Sequence, residues 1–188
     1  MAQTYEEMDA IAMLKADHRK VEGIFEAFEK ATSRDRKQAL AEQACLELKV
    51  HTAIEEEIFY PACRGRIEDD LLDESYVEHD SAKTLINEIE AGSPEEDFYD
   101  AKVKVLSEMI EHHVKEEEQR VEGMFSQARD AGLDMDDLAD RMRARKATAM
   151  EEFQAGKPAE TRTMEGDDVE SALTDEPMDG QGVPLNGR

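Results

Sequence analysis

The chain has 188 residues, enough for one domain with a core plus a tail and short of two ordinary domains. Its 47 Asp and Glu against 23 Lys and Arg leave a net charge of -24, which repels phosphate backbones and anionic headgroups and argues against nucleic acid and membrane as partners. No run approaches the roughly 18 apolar residues of a membrane span, the start MAQTYEEMDA lacks a secretory pattern, and Cys45 and Cys63 are too few for a disulfide framework; a cytoplasmic chain with free thiols is expected.

Between breaks rich in Gly and Pro, the chain is built from Ala, Glu, Lys, Leu and Met with apolar residues at helical spacing, so the expected fold class is all-α. Asp9 is placed to cap a first helix to about Thr32, with the stripe Ile11, Leu14, His18, Val21, Phe25 and Phe28. After the polar break at 33–36, a second helix carries Ala44, Leu48, His51, Glu55, Ile58 and Phe59 on one face. It is expected to end or kink at Pro61, because the residue before a proline is disfavoured in helical geometry. A third helix over about 68–91 shows Leu72, Tyr76, His79, Ala82, Ile86 and Ile89 and stops at Gly92. Ser93, Pro94 and Glu96 then read as a capping serine, a first-turn proline and a capping-box glutamate. The fourth helix is expected to reach about Asp130 with Leu106, Met109, Ile110, His113, Glu117, Val121 and Met124 in its stripe. Asp134 can cap a fifth helix over 134–153, which either lies across the bundle or pairs with a protein partner or a second copy of the chain. From 156 to 188 the composition turns to Gly, Pro, Thr, Asp and Glu, and a disordered acidic tail is expected.

Four of the five histidines, His18, His51, His79 and His113, fall one per helix inside an apolar stripe. A single histidine on such a face is more often a core residue bonded to a carbonyl. Four of them with two glutamates would leave several buried polar groups each costing on the order of 1 to 3 kcal/mol, a cost that a bound cation removes. Depth along the helices agrees at two of three connections. His18 lies fifteen residues before Ser33 and His51 eighteen after it, while His51 and His79 each lie fourteen from Gly65. At the third, His79 is thirteen before Gly92 and His113 twenty-one after it. The excess is about 12 Å of helix at 1.5 Å per residue. Either 95–100 belongs to the connection or the fourth helix overhangs the bundle.

His51 with Glu55, and His113 with Glu117, are spaced by four, which puts an imidazole and a carboxylate on one face a turn apart. Such a pair offers the imidazole to one metal and a carboxylate that bridges to its neighbour. Mixed imidazole and carboxylate donors suit iron first, with manganese or zinc as alternatives. His112 and Glu116 have the same spacing, but steps of three and four from His112 meet Glu108 and Gln119, so they read as a solvated flank.

The segments ADHRKVEGIF around His18, HTAIEEEIFYP from His51, VEHD around His79 and HHVKEEE from His112 together resemble the hemerythrin-like, or HHE cation-binding, domains over about residues 8–130. The resemblance implies an up-down four-helix bundle and places the family's metal ligands on His18, His51, Glu55, His79, His113 and Glu117, around two non-haem, carboxylate-bridged iron ions. Oxygen-carrying members have two histidines a turn apart on the third helix, whereas the positions four from His79 here are Ser75 and Lys83. The missing ligand leaves a metal position for water, another side chain, or a small diatomic or peroxide. By spacing, Glu22 and Tyr76 are the candidates to fill it, with a flank charge and a core tyrosine as their plainer readings. The proline-containing end IFYP after Glu55 has no counterpart after Glu117, where QRVEGMF suggests a helix that runs on.

Three functions are compatible with these residues. One is a di-iron protein that binds or reduces oxygen, peroxide or nitric oxide; another is a metal-dependent sensor or iron-handling module reporting through the fifth helix or tail. The last is a structural bundle with histidines satisfied in its core. No nucleophile elbow or phosphate loop points to a broader enzyme.

Overall fold

The computed structural model describes residues 4–163. Every regular element among them is helical: α1 (Ala10–Lys30), α2 (Arg34–Ile54), α3 (Tyr60–Cys63), α4 (Asp69–Ala91), α5 (Tyr99–Glu118), α6 (Met124–Asp130) and α7 (Met135–Gln154), with a 3-10 turn at Tyr5–Glu7 and a π-helical turn at Glu55–Phe59 joining α2 to α3. Helices α1, α2, α4 and α5 pack in a closed four-helix ring, α1 on α2, α2 on α4, α4 on α5 and α5 on α1. No helix among the described residues is long and apolar enough to cross a membrane.

Local chemistry sets the starts. Asp9 accepts from the Ala12 amide at 2.8 Å, Ser33 caps α2 through the Arg36 amide, and Asp134 caps α7 through the amides of Asp136 and Asp137. Along each bundle helix the apolar stripe is interrupted once by polar groups, and folding aligns the interruptions. One apolar cluster holds Val21, Phe25, Leu48, Ile86, Leu106 and Ile110, and the other holds Ile11, Leu14, Ile54, Phe59, Leu72 and Met124. The layer between them contains the four stripe histidines and both glutamates.

Three boundaries differ from expectation. Helix α2 does not end or kink out of helical geometry at Pro61: Tyr60 keeps φ -62 and ψ -42, and the chain stays helical to Cys63. The wider π-helical turn, closed by the Tyr60 amide on the Glu55 carbonyl, gives the proline ring room that a regular α-turn would deny it. Ser93 and Pro94 do not start α5. Ser93–Phe98 forms the connection, Phe98 takes a left-handed φ of 70, and α5 begins at Tyr99, which removes the apparent excess length before His113. The helix bearing His113 also does not run to Asp130. It stops at Glu118, Val121 is 80% exposed in the turn that follows, and α6 folds back with Met124 and Phe125 buried. Gly123 permits the reversal, since a Cβ there would lie 2.4 Å from the Gln119 carbonyl oxygen.

Helix α7 lies across α1 and α2, with Leu138, Ala139 and Met142 in the second cluster and Ala149 against Val50 and Ala53. Residues 157–163, expected as part of a disordered tail, are held in place. Ala159 exchanges hydrogen bonds with Asn87, and Arg162 and Thr163 donate to Asp80, which fastens 157–163 along α4. The acidic segment 164–188 lies outside the described residues.

Candidate metal centre

His18, His51, Glu55, His79, His113 and Glu117 converge in the polar layer, each 5% exposed or less. Their donor atoms form two groups, His18 with His51, Glu55 and Glu117, and Glu55 with His79 and His113; within each group the atoms lie within 4.8 Å of one another. The Nε2 atoms of His18 and His51 are 3.0 Å apart, and those of His79 and His113 are 3.1 Å apart. Each glutamate spans the pairs. Glu55 Oε2 is 3.1 Å from His51 Nε2 and 3.4 Å from His79 Nε2, and Glu117 Oε2 is 3.4 Å from His18 Nε2 and 3.6 Å from His113 Nε2.

Three of the outer ring nitrogens face carboxylates. His18 Nδ1 lies 2.8 Å from Glu118, His79 Nδ1 3.0 Å from Glu56, and His113 Nδ1 2.8 Å from Glu78. A carboxylate accepts, so Nδ1 carries the hydrogen and the inward Nε2 presents a lone pair. In the His79–His113 pair two such lone pairs face each other at 3.1 Å and repel unless a proton or metal ion lies between the rings. Glu55 Oε1 and Glu117 Oε2 are buried without any hydrogen-bond donor. These donors fit a pair of metal ions of borderline hardness.

The field of the layer has the same sense. Burial alone would depress the His51 imidazole, but the charges of Glu55 and Asp17 outweigh it and raise it to about 10; His113 rises to about 9 through Glu117 and Glu78 against the same burial. Burial would raise the Glu55 carboxyl, yet His51 and His79 hold it well below the usual carboxylate range. The layer is an electronegative chamber that takes up positive charge.

Neither residue suggested by spacing reaches the open position. Glu22 pairs with Arg19 at 3.1 Å on the surface, and the Tyr76 hydroxyl donates to the Glu56 carbonyl. Ser75 bonds the Leu71 carbonyl and Lys83 bonds Glu56 and Asp80. Tyr60 is there instead. Its hydroxyl donates to Glu117 Oε1 at 3.1 Å, lies 3.3 Å from His79 Nε2 and 3.4 Å from Glu55 Oε2, and its ring stacks on His79. In a regular α-helix the fifth residue after Glu55 points away from it; the π-helical turn brings it back to the same face. The proline at 61 was the one sequence signal for that turn. Burial and the charges of Glu117 and Glu55 hold the phenol well above its ordinary range, so it stays protonated.

A narrow cavity beside the histidines is lined by Val21, Leu48, Ile110 and Val114. Phe125 of α6 stacks on His18 at 5.9 Å and closes the end of the chamber. His112 stays at the surface with Glu116, 3.2 Å away. Cys45 and Cys63 are free and buried, one in each apolar cluster.

A family model described as hemerythrin HHE cation binding domain matches residues 9–125. A curated relative from Nostoc sp. (strain PCC 7120), named DNA nickase, is 27% identical over 113 residues, which cover 60% of this chain and 32% of that protein, so the chain spans about a third of the relative's length. The crystal structure of a hemerythrin HHE cation binding domain-containing protein from Mycobacterium kansasii has a TM-score of 0.65 at 21% identity and covers 79% of this chain and 91% of that one, a likeness of fold.

Proposed function

The chain belongs to the hemerythrin HHE cation binding family, and from that premise we propose that it holds two non-haem iron ions and binds or reduces a small oxidant such as oxygen, peroxide or nitric oxide. The observation that carries the reading is the convergence of four buried imidazole Nε2 atoms, paired at 3.0 and 3.1 Å, on two glutamates whose Oε1 (Glu55) and Oε2 (Glu117) are buried without a donor. His18 and His51 would hold one ion and His79 and His113 the other, with Glu55 and Glu117 spanning them. Iron, when bound, supplies the electrons exchanged with the oxidant. The protein's part is confinement and proton placement. Val21, Leu48, Ile110 and Val114 form an apolar wall beside the histidines that excludes bulk water. The Tyr60 hydroxyl stands beside both glutamates as a fixed donor, able to hydrogen-bond an incoming ligand or lend it a proton.

The test is metal content and absorption after anaerobic reconstitution with ferrous iron, where about two equivalents per chain are expected, as in other carboxylate-bridged bundles. Protein that retains no metal would overturn the reading. A sensing or iron-handling role is favoured by one specific observation: α7 and residues 157–163 contact the carboxylates that face the histidines, Lys146 on Asp17 and Arg162 on Glu56. The activity named for the Nostoc relative is not extended to this chain, whose net charge of -24 repels phosphate.

A further inference from the structure

Of the four layer histidines, His51 alone has an outer nitrogen without a hydrogen-bond partner. Its nearest carboxylate, Asp17 Oδ2, lies 3.6 Å away, against 2.8 to 3.0 Å for the other three. That distance is beyond the usual hydrogen-bond range, so Asp17 is a looser anchor for His51 than the carboxylates of the other three rings are for theirs. The cause is visible on the other side of the carboxylate. Lys146 of α7 places its ammonium 2.5 Å from both Asp17 oxygens and donates to the Tyr5 hydroxyl at 2.7 Å as well. Asp17 is 5% exposed, and a carboxylate so buried settles against the charge that compensates it best. Lys146 lies outside the family-matched segment 9–125, so the bundle alone does not supply it.

We infer that Lys146 is a positioning residue of the metal centre, which holds Asp17 off His51 and leaves His51 as the ligand with the loosest outer anchor. The inference rests on the metal-binding reading above. An outer carboxylate bonded to Nδ1 makes an imidazole a stronger electron donor and fixes its orientation. By keeping Asp17 for itself, Lys146 withholds that support from the ion held by His18 and His51, and so raises its potential and eases its exchange. The two halves of the centre become unequal, because His79 and His113 keep their bonds to Glu56 and Glu78. The accessory helix thereby tunes a site to which it contributes no ligand.

The experiment compares the full chain with Lys146→Met and Lys146→Arg after anaerobic loading with ferrous iron, reading midpoint potential and the rate of iron release to a chelator. In Lys146→Met, Asp17 is free to close on His51. The potential should fall and release of one of the two ions should slow on the order of tenfold, the scale of outer-partner effects. Lys146→Arg, whose fork can engage both carboxylate oxygens, should behave like the parent. Arg162→Met is the comparison at the other half: it touches the second oxygen of Glu56 and leaves the His79 bond in place, so it should move neither readout. Asp17→Asn guards against a Lys146→Met that does not fold, with the opposite sign expected, a raised potential and faster release. Faster release or an unchanged potential in Lys146→Met, or no rise in Asp17→Asn, overturns the inference while the parent still binds iron. A parent that binds no iron removes the metal-binding reading and this inference together.

Discussion

His112 and His113 are neighbours in sequence with opposite fates. His113 is 3% exposed with Nε2 in the layer, whereas the His112 side chain is 61% exposed. His113→Ala should lose at least one iron and His112→Ala should retain both, as read by metal analysis of the reconstituted proteins; the reverse pattern would mean that α5 is rotated by one residue. Protons and metal compete for the same chamber, which has a consequence for metal-free protein. His51 and His113 are raised to about 10 and about 9, above the ordinary value of about 6.5. A raised imidazole contributes stability that is full below the unfolded value and is lost as pH rises through the folded one. The melting temperature of metal-free protein should therefore fall between about pH 6.5 and 10. Iron-loaded protein should stay level there, because the metal replaces those protons. Parallel curves for the two forms would show that the imidazoles do not face the metal.

At the level of elements, two interruptions of regular helix shape the polar layer. The π-helical turn rotates Tyr60 onto the face of Glu55, and the break after Glu118 turns α6 back so that Phe125 covers His18. Gly123 is the hinge of the second break, with the Gln119 oxygen 2.4 Å, the Gln119 nitrogen 2.6 Å and the Glu116 oxygen 2.8 Å from where a Cβ would stand. These are backbone atoms and cannot swing away as side chains do. Gly123→Ala should destabilise the fold by on the order of 2 to 4 kcal/mol in denaturant unfolding. It should also open the end of the chamber, seen as faster iron release. A variant as stable as the parent would show that the turn has an alternative path.

For the whole molecule, the segment after α7 is more than a solvated appendage. Asp80 is 1% exposed, and one of its oxygens accepts from the Arg162 amide at 2.8 Å and the Thr163 hydroxyl at 2.7 Å. Ending the chain at Ala155 removes those donors and leaves the Asp80 carboxylate to Lys83 and water. Composition by itself predicts no loss from this truncation. The structure predicts a lowered denaturant midpoint, a cost of on the order of 1 to 3 kcal/mol for hydrogen bonds to a charged group given up to water. Equal midpoints would show that the contacts along α4 are dispensable.

The sequence by itself determined the four-helix pattern and the burial of six polar side chains, because both follow from local periodicity. An imidazole inside an apolar stripe must enter the core, and a glutamate four residues on must enter beside it. It also marked the starts at Asp9 and Asp134, where a short polar side chain meets a free amide, whereas Ser33, expected in a break over 33–36, caps α2. Where helices stop or change pitch was decided by packing. Val121 and Met124 continue the periodicity of α5, but continuing the helix would leave the open end of the bundle uncovered, whereas folding back buries Met124 and Phe125 in it. Ser93 and Pro94 have the local chemistry of a helix start, yet His113 reaches the depth of His79 only if the chain spends those residues in the turn. Tyr60 became part of the site through a change of helical pitch, and Lys146 through a helix that arrives from far along the chain; neither leaves a mark in the spacing of the ligands. Periodicity constrains the direction of a side chain relative to its own helix. Only the meeting of helices decides which directions end at the same point.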